Sequence, residues 1–224
     1  MGKQIVFSSG TTGTPKFIEY GAEEFKRIEL QTDYFFVNTG FDFKGKNSYS
    51  IFPTPVPNMA SFQAIDLNRK TKHLDIGNLL LKIETTKPLI DGLFAKYPPN
   101  LIVGDAVKML GFLQSLSEGQ LSTIEHITTG SNKPPIKLKE YCDEKGIGMS
   151  SIYGRTEEAV ALITEKDKWE EGYTFKNRPD LKFEIVNGEI VINGENTGDM
   201  GIINEFGKLD LDISRTEPLE KTCG

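Results

Sequence analysis

Cysteine is almost missing from this 224-residue chain, which carries only Cys142 and Cys223. Two distant thiols supply neither a disulfide framework nor the spacing of a metal site, so both are expected to be unremarkable reduced thiols. Histidine is as scarce. His73 and His126 stand isolated, each expected to be a packed or surface residue rather than a catalytic base. No run of about 18 apolar residues offers a membrane span. Met1-Gly2-Lys3-Gln4 leads directly into a strand pattern, without the apolar core of a signal peptide. Positive charge is in deficit, 26 Lys and Arg against 32 Asp and Glu, and the net charge of −6 argues against a general nucleic-acid or anionic-membrane surface. What remains, 38% hydrophobic and 26% charged residues, is ordinary for a globular protein with one large domain or two small ones. A reducing cytoplasm is the expected location.

The most informative stretch is Ser8-Ser9-Gly10-Thr11-Thr12-Gly13-Thr14-Pro15-Lys16, placed directly after the apolar run Ile5-Val6-Phe7. Glycine lets the backbone turn tightly so that successive N–H groups converge on an anion. The hydroxyls donate further hydrogen bonds, and Lys16 adds a full positive charge. A strand feeding such a loop suits phosphate. The pattern G-x-x-x-x-G-K-[ST] cannot be laid over it, so it is not a Walker loop. A polar surface turn is the plain alternative for any three or four of these residues.

Downstream, residues 17–20 read as a hairpin partner to residues 3–8, and Ala22 to about Asn38 as a helix capped by Gly40. Tyr49–Phe52 reads as a buried strand, followed by the proline-led segment Pro53–Phe62. From residue 71 to 129 the pattern alternates as βα units do: strand 73–76, helix 88–97, strand 101–104, a helix capped by Asp105 running to about Ser117, strand 124–128. In that last helix Val107, Leu110, Leu113 and Leu116 mark the apolar stripe. Gly130-Ser131-Asn132 follows where a parallel sheet opens its ligand crevice. A helix over 136–145 and a strand over 148–152 lead into Tyr153-Gly154-Arg155-Thr156-Glu157. Short strands at 159–163, 181–186, 189–192, 201–203 and 208–211 form a β-rich part, with Asn187-Gly188 as a hairpin turn. The expected class is α/β: a central sheet with flanking helices plus a small C-terminal β-rich subdomain. The expected division is 1–157, 158–213 and a short remainder, 214–224.

Taken together, Ser8–Lys16, Tyr153–Glu157 and Thr197-Gly198-Asp199 resemble three motifs of the adenylate-forming superfamily, which includes acyl- and aryl-CoA synthetases, luciferases and peptide-synthetase adenylation domains. The resemblance implies that Ser8, Ser9, Gly10, Thr11, Thr12, Gly13, Thr14 and Lys16 bind the phosphates of ATP. Gly130, Ser131 and Asn132 would pack on the adenine, with Tyr153 and Gly154 beside it. Thr156 would hold the α-phosphate, Glu157 Mg²⁺, and Asp199 the ribose. Lys16, Thr156 and Glu157 are then the catalytic candidates, and Asn58, Met59, Ser61 and Phe62 line an acid pocket. Met59 stands where amino-acid-activating relatives usually place aspartate, which argues against an amino-acid substrate. Arg155 stands where a neutral residue is common. The short span from Glu157 to Asp199 resembles compact members such as some o-succinylbenzoate–CoA ligases.

Residues 214–224 resemble the hinge motif, with Arg215 reaching ribose and phosphate, Ser214 for its first glycine and Glu217 for its aspartate. The resemblance implies a truncated member without the mobile C-terminal domain, so the lysine which that domain supplies has no counterpart here. The implied activity is conversion of a carboxylic acid and ATP to acyl-AMP and pyrophosphate. The thiol of CoA or phosphopantetheine is the acceptor, and an acyl carrier protein or a separate C-terminal-domain protein is the partner. The alternative is a non-catalytic nucleotide- or acyl-adenylate-binding protein.

Overall fold

The computed structural model describes residues 3–8, 16–40, 48–51, 83–130, 132–157, 159–175 and 178–211. They form β1 (Gln4–Ser8), β2 (Lys16–Tyr20), α1 (Ala22–Thr39), β3 (Ser48–Ile51), α2 (Ile83–Lys96), β4 (Leu101–Asp105), α3 (Ala106–Gln114), α4 (Glu118–Leu121), β5 (His126–Gly130), α5 (Ile136–Lys145), β6 (Gly148–Arg155), β7 (Val160–Ile163), β8 (Phe183–Val186), β9 (Glu189–Ile192), β10 (Glu195–Ile203) and β11 (Leu209–Leu211). Among the described residues these make a hairpin β1-β2, a central sheet ordered β3-β4-β5-β6-β7, and an antiparallel sheet ordered β11-β10-β9-β8. The class is the expected α/β with a β-rich part. The expected strand at 73–76 lies outside the described residues.

Strands β3 to β6 run parallel, which requires crossover connections and buries both faces. The chain meets that requirement with capped helices. The Asp105 side chain accepts from the N–H groups of Val107 and Lys108 at 3.0 and 3.2 Å, opening α3. Gly146, at φ +68°, closes α5 in the left-handed conformation that glycine adopts without strain. Ile102, Met109, Phe112, Leu113, Ile127, Leu138, Cys142 and Met149 then merge into one buried cluster. Burial pushes the Cys142 thiol up to about 12, so it stays protonated. Two expectations need correction. The helix expected from Pro88 starts at Ile83, with Pro88 inside it, because a missing N–H near the start removes one hydrogen bond without ending the helix. Val107 is exposed: the buried face of α3 is Ala106, Met109, Phe112 and Leu113.

β7, grouped by its sequence with the β-rich part, is instead the fifth strand of the central sheet, antiparallel to β6. Its side chains alternate between two cores. Ala159 and Ala161 enter a cluster with Val6, Tyr20 and Ile28, while Val160 and Leu162 enter one with Tyr173, Ile190, Ile192 and Leu209. As an edge strand β7 would leave alternate backbone carbonyls bare. Gln31 of α1 donates to the Ala159 carbonyl, Arg178 Nη1 to that of Ala161 at 2.6 Å, and the Thr174 N–H to that of Ile163 at 3.0 Å. Arg178 is itself fixed by a two-pronged bond to Asp180, both contacts 2.8 Å.

The β-rich sheet is a meander set by its turns. Asn187-Gly188 (φ +53° and +83°) and Asn193-Gly194 (φ +55° and +86°) both take the type I′ backbone that Asn-Gly favours. Gly172 holds φ +94°, and a methyl group there would stand 2.5 Å from the Leu209 carbonyl oxygen. Gly172→Ala should therefore cost about 2 kcal/mol or more in urea unfolding, through strain and displacement of the Tyr173–Leu209 bridge; a loss below 0.5 kcal/mol contradicts this packing.

His126 is fully buried, with Nε2 3.1 Å from the Ser150 hydroxyl. Burial first, then the nearby Lys166 charge, pulls its pKa down to about 3. The unfolded chain protonates this ring below its ordinary value of 6.5 while the fold does not. Its contribution is thus complete above that pH and falls by about 1.4 kcal/mol per pH unit below it. Between pH 6 and 4, His126→Gln should lose unfolding free energy less steeply than the wild type by about that slope; parallel slopes would rule out a neutral buried ring.

Candidate functional site

Asp105, Gly130, Asn132 and Tyr153–Glu157 lie at or just beyond the carboxyl ends of β4, β5 and β6, where an open α/β sheet forms its crevice. Asp105 at the end of β4 is in register with Gly130 at the end of β5. Asn132 Nδ2 lies 3.4 Å from Asp105 Oδ2, which ties the segment after β5 to the cap of α3. Asp105, expected only as a cap, therefore also anchors the Asn132 segment.

The strand expected over 148–152 runs on to Arg155, so Tyr153, Gly154 and Arg155 are the last three residues of β6. They pair with Leu162, Ala161 and Val160 of β7. Residues 156–159 make the tight connection, with the Ala159 N–H donating to the Thr156 carbonyl at 3.3 Å. Thr156 and Glu157 thus stand at a hairpin tip. Ala159, buried, takes φ +52°, an unusual left-handed conformation for a residue with a Cβ. The tip is held from outside: the Tyr20 hydroxyl donates to the Thr156 carbonyl at 2.5 Å, and Gln31 donates to that of Ala159.

Tyr20 ends β2, the strand that begins at Lys16. Ser8 and Lys16 are direct partners in the β1-β2 ladder, so residues 9–15 are the connection of this hairpin. Ser9, Gly10, Thr11, Thr12, Gly13, Thr14 and Pro15 lie outside the described residues, as do the side chains of Ser8 and Lys16. The same holds for Asn58, Met59, Ser61, Phe62, Ser131 and Arg215 with the expected hinge.

Against the end of β6 stands the bulge of β10. Its register against β9 shifts between Asn196 and Met200, and Gly198 takes φ +74°. The bulge is braced from below. The Thr197 hydroxyl donates to the Ile190 carbonyl at 2.7 Å and accepts from the Asp199 N–H at 3.1 Å. The Glu189 carboxylate accepts from the Gly198 N–H at 2.7 Å and from Asn196 Nδ2 at 3.2 Å. Glu189 escaped sequence reasoning, which places it at the start of a strand without a role; only the non-local bulge gives it one.

Two bonds join β6 to this bulge. The Tyr153 hydroxyl donates to Asp199 Oδ2 at 2.7 Å, and Arg155 Nη1 donates to the Thr197 carbonyl. Arg155 Nη2 also lies 3.9 Å from Glu157 Oε2. Burial, reinforced by the Asp199 charge, drives the Tyr153 pKa far above its ordinary value, so this hydroxyl keeps its proton and can donate it to Asp199. Its ring packs against the β-rich core, 5.9 Å from that of Tyr173. The carboxylate of Asp199, half-buried, keeps Oδ1 for further donors. Four of the expected residues, Tyr153, Gly154, Thr156 and Glu157, together with Asp199, thus converge on one place. Among the described residues no group of three or more His, Cys, Asp or Glu is arranged to hold a metal. Tyr153→Phe should lower unfolding free energy by about 1–2 kcal/mol, because Asp199 loses a buried donor; denaturant midpoints within 0.3 kcal/mol of each other would contradict that bond.

No protein-family profile and no curated protein matches the sequence. Solved structures do match. Escherichia coli MenE with bound OSB-AMS superimposes at a TM-score of 0.64 and 16% identity, over 92% of this chain and 47% of that one. Bacillus subtilis O-succinylbenzoate coenzyme A synthetase in complex with ATP and magnesium ion gives 0.65 and 16%, over 92% and 49%. The N-terminal domain of FACL13 from Mycobacterium tuberculosis gives 0.67 and 18%, over 93% and 59%. The fold is that of the adenylate-forming ligases, and the chain spans about half the length of the solved structures it matches. No helix among the described residues is long and apolar enough to cross a membrane.

Proposed function

We propose that this chain binds ATP where the end of β6 meets the β10 bulge and activates a carboxylic acid as its acyl adenylate, releasing pyrophosphate. The observation that carries the reading is the junction of Tyr153 with Asp199 beside the Thr156–Glu157 tip, on a fold shared with ligases solved with ATP and magnesium ion. Asp199 accepts from the ribose hydroxyls while Tyr153 holds it in place. Tyr153 and Gly154 flank the base together with the Gly130–Asn132 segment. The loop 8–16 donates to the phosphates, with Lys16 adding charge where the leaving pyrophosphate develops it, and Thr156 holds the α-phosphate against the attacking carboxylate.

Glu157 fits a magnesium ion as one carboxylate of a set otherwise made of phosphate oxygens and water, the usual arrangement for that ion. When bound, the ion neutralises charge on the departing phosphates. No protein nucleophile is needed, since the acid itself attacks phosphorus. Asn58, Met59, Ser61 and Phe62 are the acid-pocket residues of this reading, and Arg215 contacts ribose and phosphate. The acceptor thiol is that of CoA or phosphopantetheine, with a carrier protein or a separate C-terminal-domain protein as partner. We place the activity in the cytoplasm. A second reading is nucleotide or acyl-adenylate binding without turnover.

Acid-dependent exchange of labelled pyrophosphate into ATP tests the first reading. Exchange above background with at least one acid of an aliphatic and aryl panel is expected, and Lys16→Ala should lower it about 10²–10³-fold, as removal of a charge-stabilising donor does. Nucleotide binding without exchange selects the second reading. Nucleotide affinity untouched by Lys16→Ala contradicts both.

A further inference from the structure

Arg155 is set apart by its contacts. It leaves the last position of β6, next to the tip that carries Thr156 and Glu157, and its guanidinium reaches two separate parts of the site. One nitrogen donates to the Thr197 carbonyl, inside the bulge that presents Asp199, and the other lies 3.9 Å from the Glu157 carboxylate. The side chain is largely buried, at 12% exposure against 28% for Glu157. A planar guanidinium serves two acceptors in fixed relative directions, which an ammonium cannot do. The other braces of the bulge, Glu189 and the Thr197 hydroxyl, bind it to β9. Tyr153 and Arg155 are the described residues whose side chains bond it to β6.

We propose that Arg155 is a positioning residue coupling the two halves of the site: it fixes the Asp199 bulge to β6 and, with the same guanidinium, competes with a divalent cation for Glu157. One substitution then moves two affinities in opposite directions. Losing the clamp loosens Asp199 and weakens the nucleoside. Losing the counter-charge removes one competitor of the cation for the Glu157 carboxylate. A residue that merely supported the fold would weaken both. The ligands named rest on the adenylation reading; the clamp itself does not.

Three measurements on the full chain test this, with Arg155→Met and Arg155→Lys compared to wild type. Deuterium uptake of the 195–200 backbone, without ligand, should rise in Arg155→Met by about tenfold in exchange rate, the effect of losing one charge-assisted hydrogen bond. AMP affinity, measured calorimetrically without metal, should fall by about tenfold in the same variant. Half-saturating Mg²⁺ for ATP binding should fall severalfold in Arg155→Met and stay within about twofold of wild type in Arg155→Lys, which keeps a cation beside Glu157. Unchanged uptake overturns the clamp, whatever the ligands do. Equal weakening of AMP and Mg²⁺ overturns the coupling. A wild type that binds no AMP, with uptake responding as expected, removes the adenylation reading and leaves the clamp standing.

Discussion

The architecture turns on the two-sided burial of β7. Val160, Ala161 and Leu162, with Ala159, bury side chains in two cores at once, one shared with the β1-β2 hairpin and α1, the other with the β-rich sheet. Small residues face the hairpin and large ones the β-rich sheet, so the chain reads Ala-Val-Ala-Leu over 159–162. The exposed edge that such a strand would leave is closed by Gln31, Arg178 and the Thr174 backbone. An unpaired carbonyl in that position costs about 1–3 kcal/mol, so these bonds matter more as avoided losses than as gains. Arg178 completes the closure by stacking 5.2 Å over the Tyr34 ring, while the Tyr34 hydroxyl donates to Thr174.

From this arrangement the site follows. β7 fixes the direction in which β6 ends, so Tyr153 points at the β-rich core and Thr156 and Glu157 stand at the turn between the two strands. The hairpin that carries the glycine-hydroxyl loop is tied to the same turn through Tyr20. The β10 bulge is bonded to the end of β6 just before that turn, through Asp199 and Thr197. Elements far apart in sequence are therefore referred to one backbone turn, the kind of rigid reference a site for a polyphosphate needs.

Local chemistry made much of this legible. Helix α5 ends where Gly146 dictates, the β1-β2 hairpin follows its alternation, and Asn187-Gly188 names its own turn. Contextual features escaped. β10 begins at Glu195 rather than Gly201, because Glu195-Asn196-Thr197-Gly198-Asp199 has poor strand propensity and is held by Glu189 and Arg155. Asn193-Gly194 carries the same turn chemistry as Asn187-Gly188 but is followed by that polar stretch, which hid the second hairpin. The place of β7 in the central sheet was equally hidden, since an apolar run of four residues fits either sheet. Motif residues were found by type and order; their braces, Tyr20, Gln31, Asp105 and Glu189, are ordinary residues made important only by the fold.

The central claim is that one nucleotide spans from the β10 bulge to the hairpin connection. A crystal structure of the chain with a non-hydrolysable ATP analogue and Mg²⁺ tests it most directly. The account predicts the ribose on Asp199, the base beside Tyr153, the metal on Glu157 and the terminal phosphates within reach of Lys16. A nucleotide bound away from Asp199, or Lys16 and Glu157 facing different cavities, contradicts it.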